Sequence, residues 1–198
     1  MVKFTAREIR DIIISMVVIS FCFAYIFARQ DINSAIFYMP ITFIVVGLAF
    51  LLHELAHKYM AIGFGYWAEY KMWVGGLLFA LVSAIAVGIV FAAPGAVYIH
   101  GNYIKQSENG KISLAGPATN IILAMLFLSI PLFFPDSLWV QIGILGATIN
   151  SFFAVFNLIP FSMLDGAKVF RWNPLIWIAT MAVAILMFLY TAYGISFI

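Results

Sequence analysis

Ile41-Thr42-Phe43-Ile44-Val45-Val46-Gly47-Leu48-Ala49-Phe50-Leu51-Leu52-His53-Glu54-Leu55-Ala56-His57 is an apolar run that ends in two histidines and a glutamate. It reads as a helix in hydrocarbon, where ionisable groups are costly and mark function. Histidines four residues apart stand one turn above each other on one helix face, so both imidazoles can bind one metal ion. Glu54 lies beside that face and suits a general base for a water that the metal acidifies. The chain has three histidines in all, so finding two in this pattern is a specific signal. A purely packing role would have the histidines bond neighbouring helices while Glu54 pairs with Lys58. That arrangement would place costly groups at membrane depth for no chemical return.

The rest of the chain supports the membrane reading. Of 198 residues, 65% are hydrophobic, 17% aromatic and 9% charged, and the mean hydropathy is +1.09. A soluble domain carries about 25% charged residues. Cys22 is the only cysteine, which excludes a disulfide scaffold. A net charge of +2 supplies no basic stripe, so no nucleic-acid partner is expected. Apolar runs at 12–28, 37–52 (continuing to 63), 74–93, 112–134, 138–159 and 174–195 approach the roughly 20 residues that cross a bilayer as a helix. The expected fold class is therefore an all-α polytopic membrane protein with five or six membrane-embedded helices. Residues 1–198 are read as a single membrane-embedded domain with no separate soluble domain. The first run follows Lys3, Arg7 and Arg10 but is too long for a signal peptide, and it reads as a retained span. The polar stretch 100–111 reads as a loop, with a turn signal at Asn109-Gly110.

A catalytic zinc takes three protein ligands and leaves a position for water. Candidates for the third are His100, Glu69, Glu108, Asp136, Asp165, Asp31 and Asp11. Asp165 stands out for its surroundings, Asn157-Leu158-Ile159-Pro160-Phe161-Ser162-Met163-Leu164-Asp165-Gly166. Pro160 breaks the incoming helix and Gly166 permits a tight turn. Irregular backbone at this depth survives only where protein covers it or it lines a wet cavity. Gly116-Pro117 reads as a helix start, with Asn120 one turn on, positioned to bond a neighbouring helix.

Taken in order, His53–His57, Gly116-Pro117-Ala118-Thr119-Asn120 and Asn157-x-x-Pro160 with Leu164-Asp165-Gly166 resemble the site-2 protease family of intramembrane metalloproteases. The resemblance covers about 37–171. It implies zinc held by His53, His57 and Asp165, Glu54 as general base, and Asn157 assisting with substrate or the developing oxyanion. It also implies substrates that are themselves membrane proteins with a transmembrane segment. One departure is plain: the apolar run 74–93 stands where that family has a short, partly extended segment.

Topology supplies an independent test. If all six runs crossed, Asp165 would emerge opposite the histidines. If 74–93 enters and returns, Lys3, Arg7, Arg10, Lys58, Lys71, Lys105, Lys111, Lys168 and Arg171 share one side and only Arg29 lies opposite. Six full crossings would divide the positive residues evenly. Cytoplasmic loops are rich in Lys and Arg, so 74–93 is predicted to be re-entrant, with the N-terminus and active site toward the cytoplasm of the cell membrane. The flanking pieces 66–73 and 95–103 are rich in aromatic and β-branched residues and read as short extended segments. The function expected is an intramembrane zinc endopeptidase. A metal-binding transporter or a non-proteolytic substrate-binding homologue is the alternative, although no paired broken helices indicate a transporter.

Overall fold

The computed structural model of the protein describes residues 3–91, 94–101, 103–161 and 163–193. Helix α1 (Ala6–Phe27) starts at Thr5, whose hydroxyl accepts the Glu8 N–H at 3.1 Å. A tight turn with Arg29 and Gln30 at positive φ reverses the chain. Asp31 then caps α2 (Ile32–Gly63) by accepting the Ser34 N–H at 2.8 Å. Strand β1 (Trp67–Met72), helix α3 (Val74–Val87) and strand β2 (Gly95–His100) follow. Helices α4 (Gln106–Phe133), α5 (Ser137–Leu158), α6 (Asp165–Trp172) and α7 (Pro174–Tyr193) complete the described chain. α1, α2, α4, α5 and α7 are long and apolar enough to cross a bilayer. The protein is thus an all-α, multi-pass membrane protein with one small sheet.

Burial separates lipid-facing from packed residues. Phe37, Leu132 and Leu175 point outward and are largely exposed, as lipid contact allows. Ile19, Val46, Phe50, Ile149 and Phe153 interlock inside with Tyr70, so α1, α2, β1 and α5 share the main core.

The segment 74–93 does not cross. β1 and β2 pair antiparallel, with Trp67 opposite His100 and Met72 opposite Gly95. The Trp73 N–H donates to the Pro94 carbonyl at 2.7 Å, so the segment leaves and returns at one place. Its helix has 14 residues, about 21 Å at 1.5 Å per residue against roughly 30 Å of hydrocarbon. The re-entrant expectation holds, and both extended pieces are present as β1 and β2. Ala92, Ala93, Asn102, Ser162 and the 194–195 end of the last run lie outside the described residues. The start of α1, the end of α2, the sheet and α6 consequently share one end of the bundle, and Arg29 sits in the turn at the other.

Three local expectations are corrected. Asn109-Gly110 is not a turn: α4 begins at Gln106 and runs through it, because Trp172 of α6 packs where a Cβ on Gly110 would lie. Gly116-Pro117 lies well inside α4 rather than at its start. There Pro117 offers no N–H to the Ser113 carbonyl and loosens the turn. Gly166 belongs to the first turn of α6 and makes no tight turn of its own; it lets α6 press against the backbone of Leu158 and Ile159.

Candidate metal centre

α2 is unbroken through His53 and His57, which places both imidazoles on one face near its end. Asp165 reaches them from the first turn of α6. α5 stops at Leu158, two residues before Pro160, and Trp177 of α7 fixes that end by donating to the Leu158 carbonyl at 2.7 Å. Asp165 Oδ2 stands 3.3 Å from His53 Nε2 and 3.1 Å from His57 Nε2, and the two Nε2 atoms are 3.0 Å apart. All three side chains are buried, as is Glu54 beside them. Lys168 Nζ lies 3.8 Å from the other oxygen of Asp165.

The far side of each imidazole decides what these atoms can hold. His53 Nδ1 lies 2.5 Å from Asn120 Oδ1, whose amide nitrogen donates to the Ala49 carbonyl and to Asn150 Oδ1. With that nitrogen committed as donor, Asn120 Oδ1 is an acceptor, so His53 donates from Nδ1. His57 Nδ1 donates to the Ile112 carbonyl at 2.7 Å. Neutral imidazoles that donate from Nδ1 present lone pairs at Nε2. Two Nε2 atoms and one carboxylate oxygen therefore converge, and with both rings neutral all three are acceptors. A cation satisfies all three at once, and the nitrogens' other hydrogen bonds are those that orient metal-bound histidines.

Two more observations fit a metal here. A Cβ on Gly116 would collide with the Nε2 atoms of both histidines, so α4 can approach only as glycine. Glu54 Oε2 is buried without a hydrogen-bond partner, although buried polar atoms are nearly always paired. Lys58, the partner a packing role would give Glu54, is instead bound to Glu8 at 2.6 Å.

A cavity of about 410 Å³ opens over the group, lined by His53, Glu54, His57 and Asp165 on one side and residues 95–99 of β2 on the other. Asn157 also lines it, but its amide donates to the Phe153 carbonyl of its own helix at 3.0 Å. The other candidate ligands lie elsewhere. Glu69 pairs with Lys71 at 2.7 Å, Glu108 accepts from the Tyr66 hydroxyl, and Asp11 accepts the Met72 N–H. Asp31 caps α2, Asp136 stands just before the first residue of α5, and His100 ends β2. Among the described residues, His53, His57 and Asp165 are the one group of this kind. Sequence reasoning missed Asn150 and the Ile112 carbonyl. Asn150 carried a signal, an amide inside an apolar run; a backbone carbonyl carries none.

Comparison with known proteins agrees. The chain is 44% identical over 176 residues to a protein of Methanocaldococcus jannaschii named "Putative zinc metalloprotease MJ0611", covering 88% of this chain and 89% of that protein. It is 36% identical over 89 residues to "Putative zinc metalloprotease Rip2" of Mycolicibacterium smegmatis, covering 43% of this chain and 34% of that one. The Mycobacterium tuberculosis protein of the same name is 32% identical over 151 residues, covering 67% and 56% respectively. No protein-family model and no solved structure matches the chain. Zinc is the metal that this donor set and these names share.

Proposed function

This chain belongs to the zinc metalloprotease family of those relatives, the site-2 protease family that its motifs resemble, and from that premise we propose that it is an intramembrane endopeptidase. It hydrolyses peptide bonds in transmembrane segments of other membrane proteins. The observation that carries the reading is the convergence of His53, His57 and Asp165 beside the unpartnered Glu54 carboxylate, in a cavity edged by a strand and framed by helices long enough to cross a bilayer.

His53, His57 and Asp165 would hold the ion, with Asn120 and the Ile112 carbonyl fixing the two rings. Zinc, when bound, lowers the pKa of a coordinated water toward about 7 and polarises a carbonyl. Glu54 takes the proton released by the attacking water and delivers it to the departing amine, which its free Oε2 allows. Asn157, on the cavity wall, donates to the oxyanion after letting go of the Phe153 carbonyl. The substrate must unwind, since a helix hides its amides in its own hydrogen bonds. β2 offers the unwound chain a partner at the cavity edge, where main-chain hydrogen bonds replace those lost. The excess of Lys and Arg at the site's end of the bundle supports an active site and N-terminus toward the cytoplasm of the cell membrane.

Glu54→Gln tests the reading. Zinc content should stay at one per chain while cleavage of a transmembrane-segment peptide falls by about 10³-fold, within the 10²–10⁴ range of general-base catalysis. Cleavage that survives the substitution would overturn the role of Glu54. A zinc-loaded wild-type chain that cuts no such peptide would overturn the endopeptidase reading.

A further inference from the structure

A second buried polar cluster lies next to the metal group on α2, centred on Lys58. Lys58 follows His57 and is turned from it by about 100°, the rotation of one helical residue. Its ammonium is buried, 2.6 Å from both oxygens of Glu8 and 3.0 Å from the Lys3 carbonyl, with the Phe4 ring centroid at 4.0 Å. Glu8, Asp11 and Ser15 recur at helical spacing, so they form one stripe of α1. That stripe meets the outer edge of β1. Glu8 Oε1 accepts the Tyr70 N–H at 2.9 Å, Asp11 Oδ2 accepts the Met72 N–H at 3.3 Å, and the Tyr70 hydroxyl donates to Ser15 at 2.9 Å.

Alternate residues of a strand send their amides to opposite edges. Tyr70 and Met72 point away from β2, and the α1 carboxylates close that edge. By register their partners are Val97 and Gly95, whose backbone groups point away from β1 in turn. These are residues of the strand that lines the cavity over the metal group. Among the described residues, α1 carboxylates close one edge of the sheet and no strand pairs with the other, which lies at the site.

We infer that Glu8 and Asp11 are positioning residues: they seal β1 so that an extended substrate can add only at β2, and with Lys58 they hold the sheet in place against the helix that carries His53, Glu54 and His57. The inference rests on the endopeptidase reading above. No charge on α1 touches the metal group; α1 acts through the sheet.

The test uses the zinc-loaded full chain in detergent, with a synthetic transmembrane-segment peptide as substrate. Glu8→Leu/Lys58→Met removes the acceptor of the Tyr70 amide without stranding the ammonium. Glu8→Gln/Lys58→Met gives an acceptor back. The leucine variant should exchange the Tyr70 amide hydrogen faster and raise KM about tenfold, the scale of one lost buried hydrogen bond, with kcat within about threefold of wild type and zinc unchanged. The glutamine variant should return KM to within about threefold of wild type. If the leucine variant does not fold, Asp11→Leu probes the same edge at Met72, with an expected rise in KM of about threefold for its longer bond. An unchanged KM in the foldable variant overturns the inference, as does an equal loss of zinc, kcat and KM in the leucine and glutamine variants. A wild-type chain that binds zinc and spares the peptide removes the endopeptidase reading, and this inference with it.

Discussion

α2 carries two buried polar clusters, the His53 group and the one around Lys58, and they differ in whether their donors and acceptors balance. Around Lys58 every group is matched: three oxygens receive the ammonium, and the remaining carboxylate oxygens receive backbone amides or Arg10. Around His53 the balance fails on purpose. Two imidazole Nε2 atoms and a carboxylate oxygen face one another, and Glu54 Oε2 has no hydrogen-bond partner. Both clusters are buried and both contain charges, so burial does not tell them apart. The unmatched cluster is the one with room for an ion under the proposed function; the matched one is closed by its own hydrogen bonds.

The largest expected effect strikes the unmatched cluster from outside it. Gly116→Ala should abolish zinc binding and activity together, because the new methyl would occupy the space of the two Nε2 atoms. Zinc bound at one per chain in a folded Gly116→Ala protein would mean that α4 stands farther from the ligands than described. Asn157→Ala should lower kcat by about 10²–10³-fold, the usual cost of one oxyanion donor, and leave zinc in place. A rate unchanged by that substitution would assign Asn157 to the end of α5, where its amide already bonds Phe153. Smaller still, Asn120→Ala should weaken zinc binding by about 10–100-fold, as loss of a hydrogen bond to a ligating histidine does. A competition titration against a chelator reads it directly. An undiminished affinity would show that the Ile112 and Asp165 contacts suffice to hold the rings.

The unmatched cluster was also the more legible in sequence. His53, Glu54 and His57 declare themselves because ionisable residues interrupt an apolar run, and Pro160 marks the break that precedes Asp165. Charge counting found that 74–93 returns, since the positions of Lys105, Lys111, Lys168 and Arg171 record which side the chain occupies. The matched cluster was not legible. Glu8, Asp11 and Lys58 sit near a membrane boundary, where charges are ordinary, and only three-dimensional packing shows them buried. The helical state of Asn109-Gly110 and the interior place of Gly116-Pro117 were misread for a related reason. Those glycines serve close approach to Trp172 and to the histidines, and local propensity sees a glycine without seeing what lies against it.

The sharpest use of the comparison is a stability cycle on the matched side, with the smallest expected effect on the metal. Lys58→Met alone strands the Glu8 carboxylate in a buried place and should cost about 3–5 kcal/mol, the usual penalty for removing one partner of a buried pair. Glu8→Gln alone strands the ammonium and should cost a similar amount. The double variant removes both charges and should recover most of the loss, since a buried pair replaced whole is often close to neutral. Thermal unfolding in detergent gives the coupling, and zinc content should be unchanged in whichever variants fold. If the two single costs simply add, Glu8 and Lys58 are independently solvated and the cluster is not closed. The same cycle on the metal side has no such expectation. On the proposed reading, removing His53 and Asp165 together should not restore what either loses, because an ion held by both would lose two ligands at once.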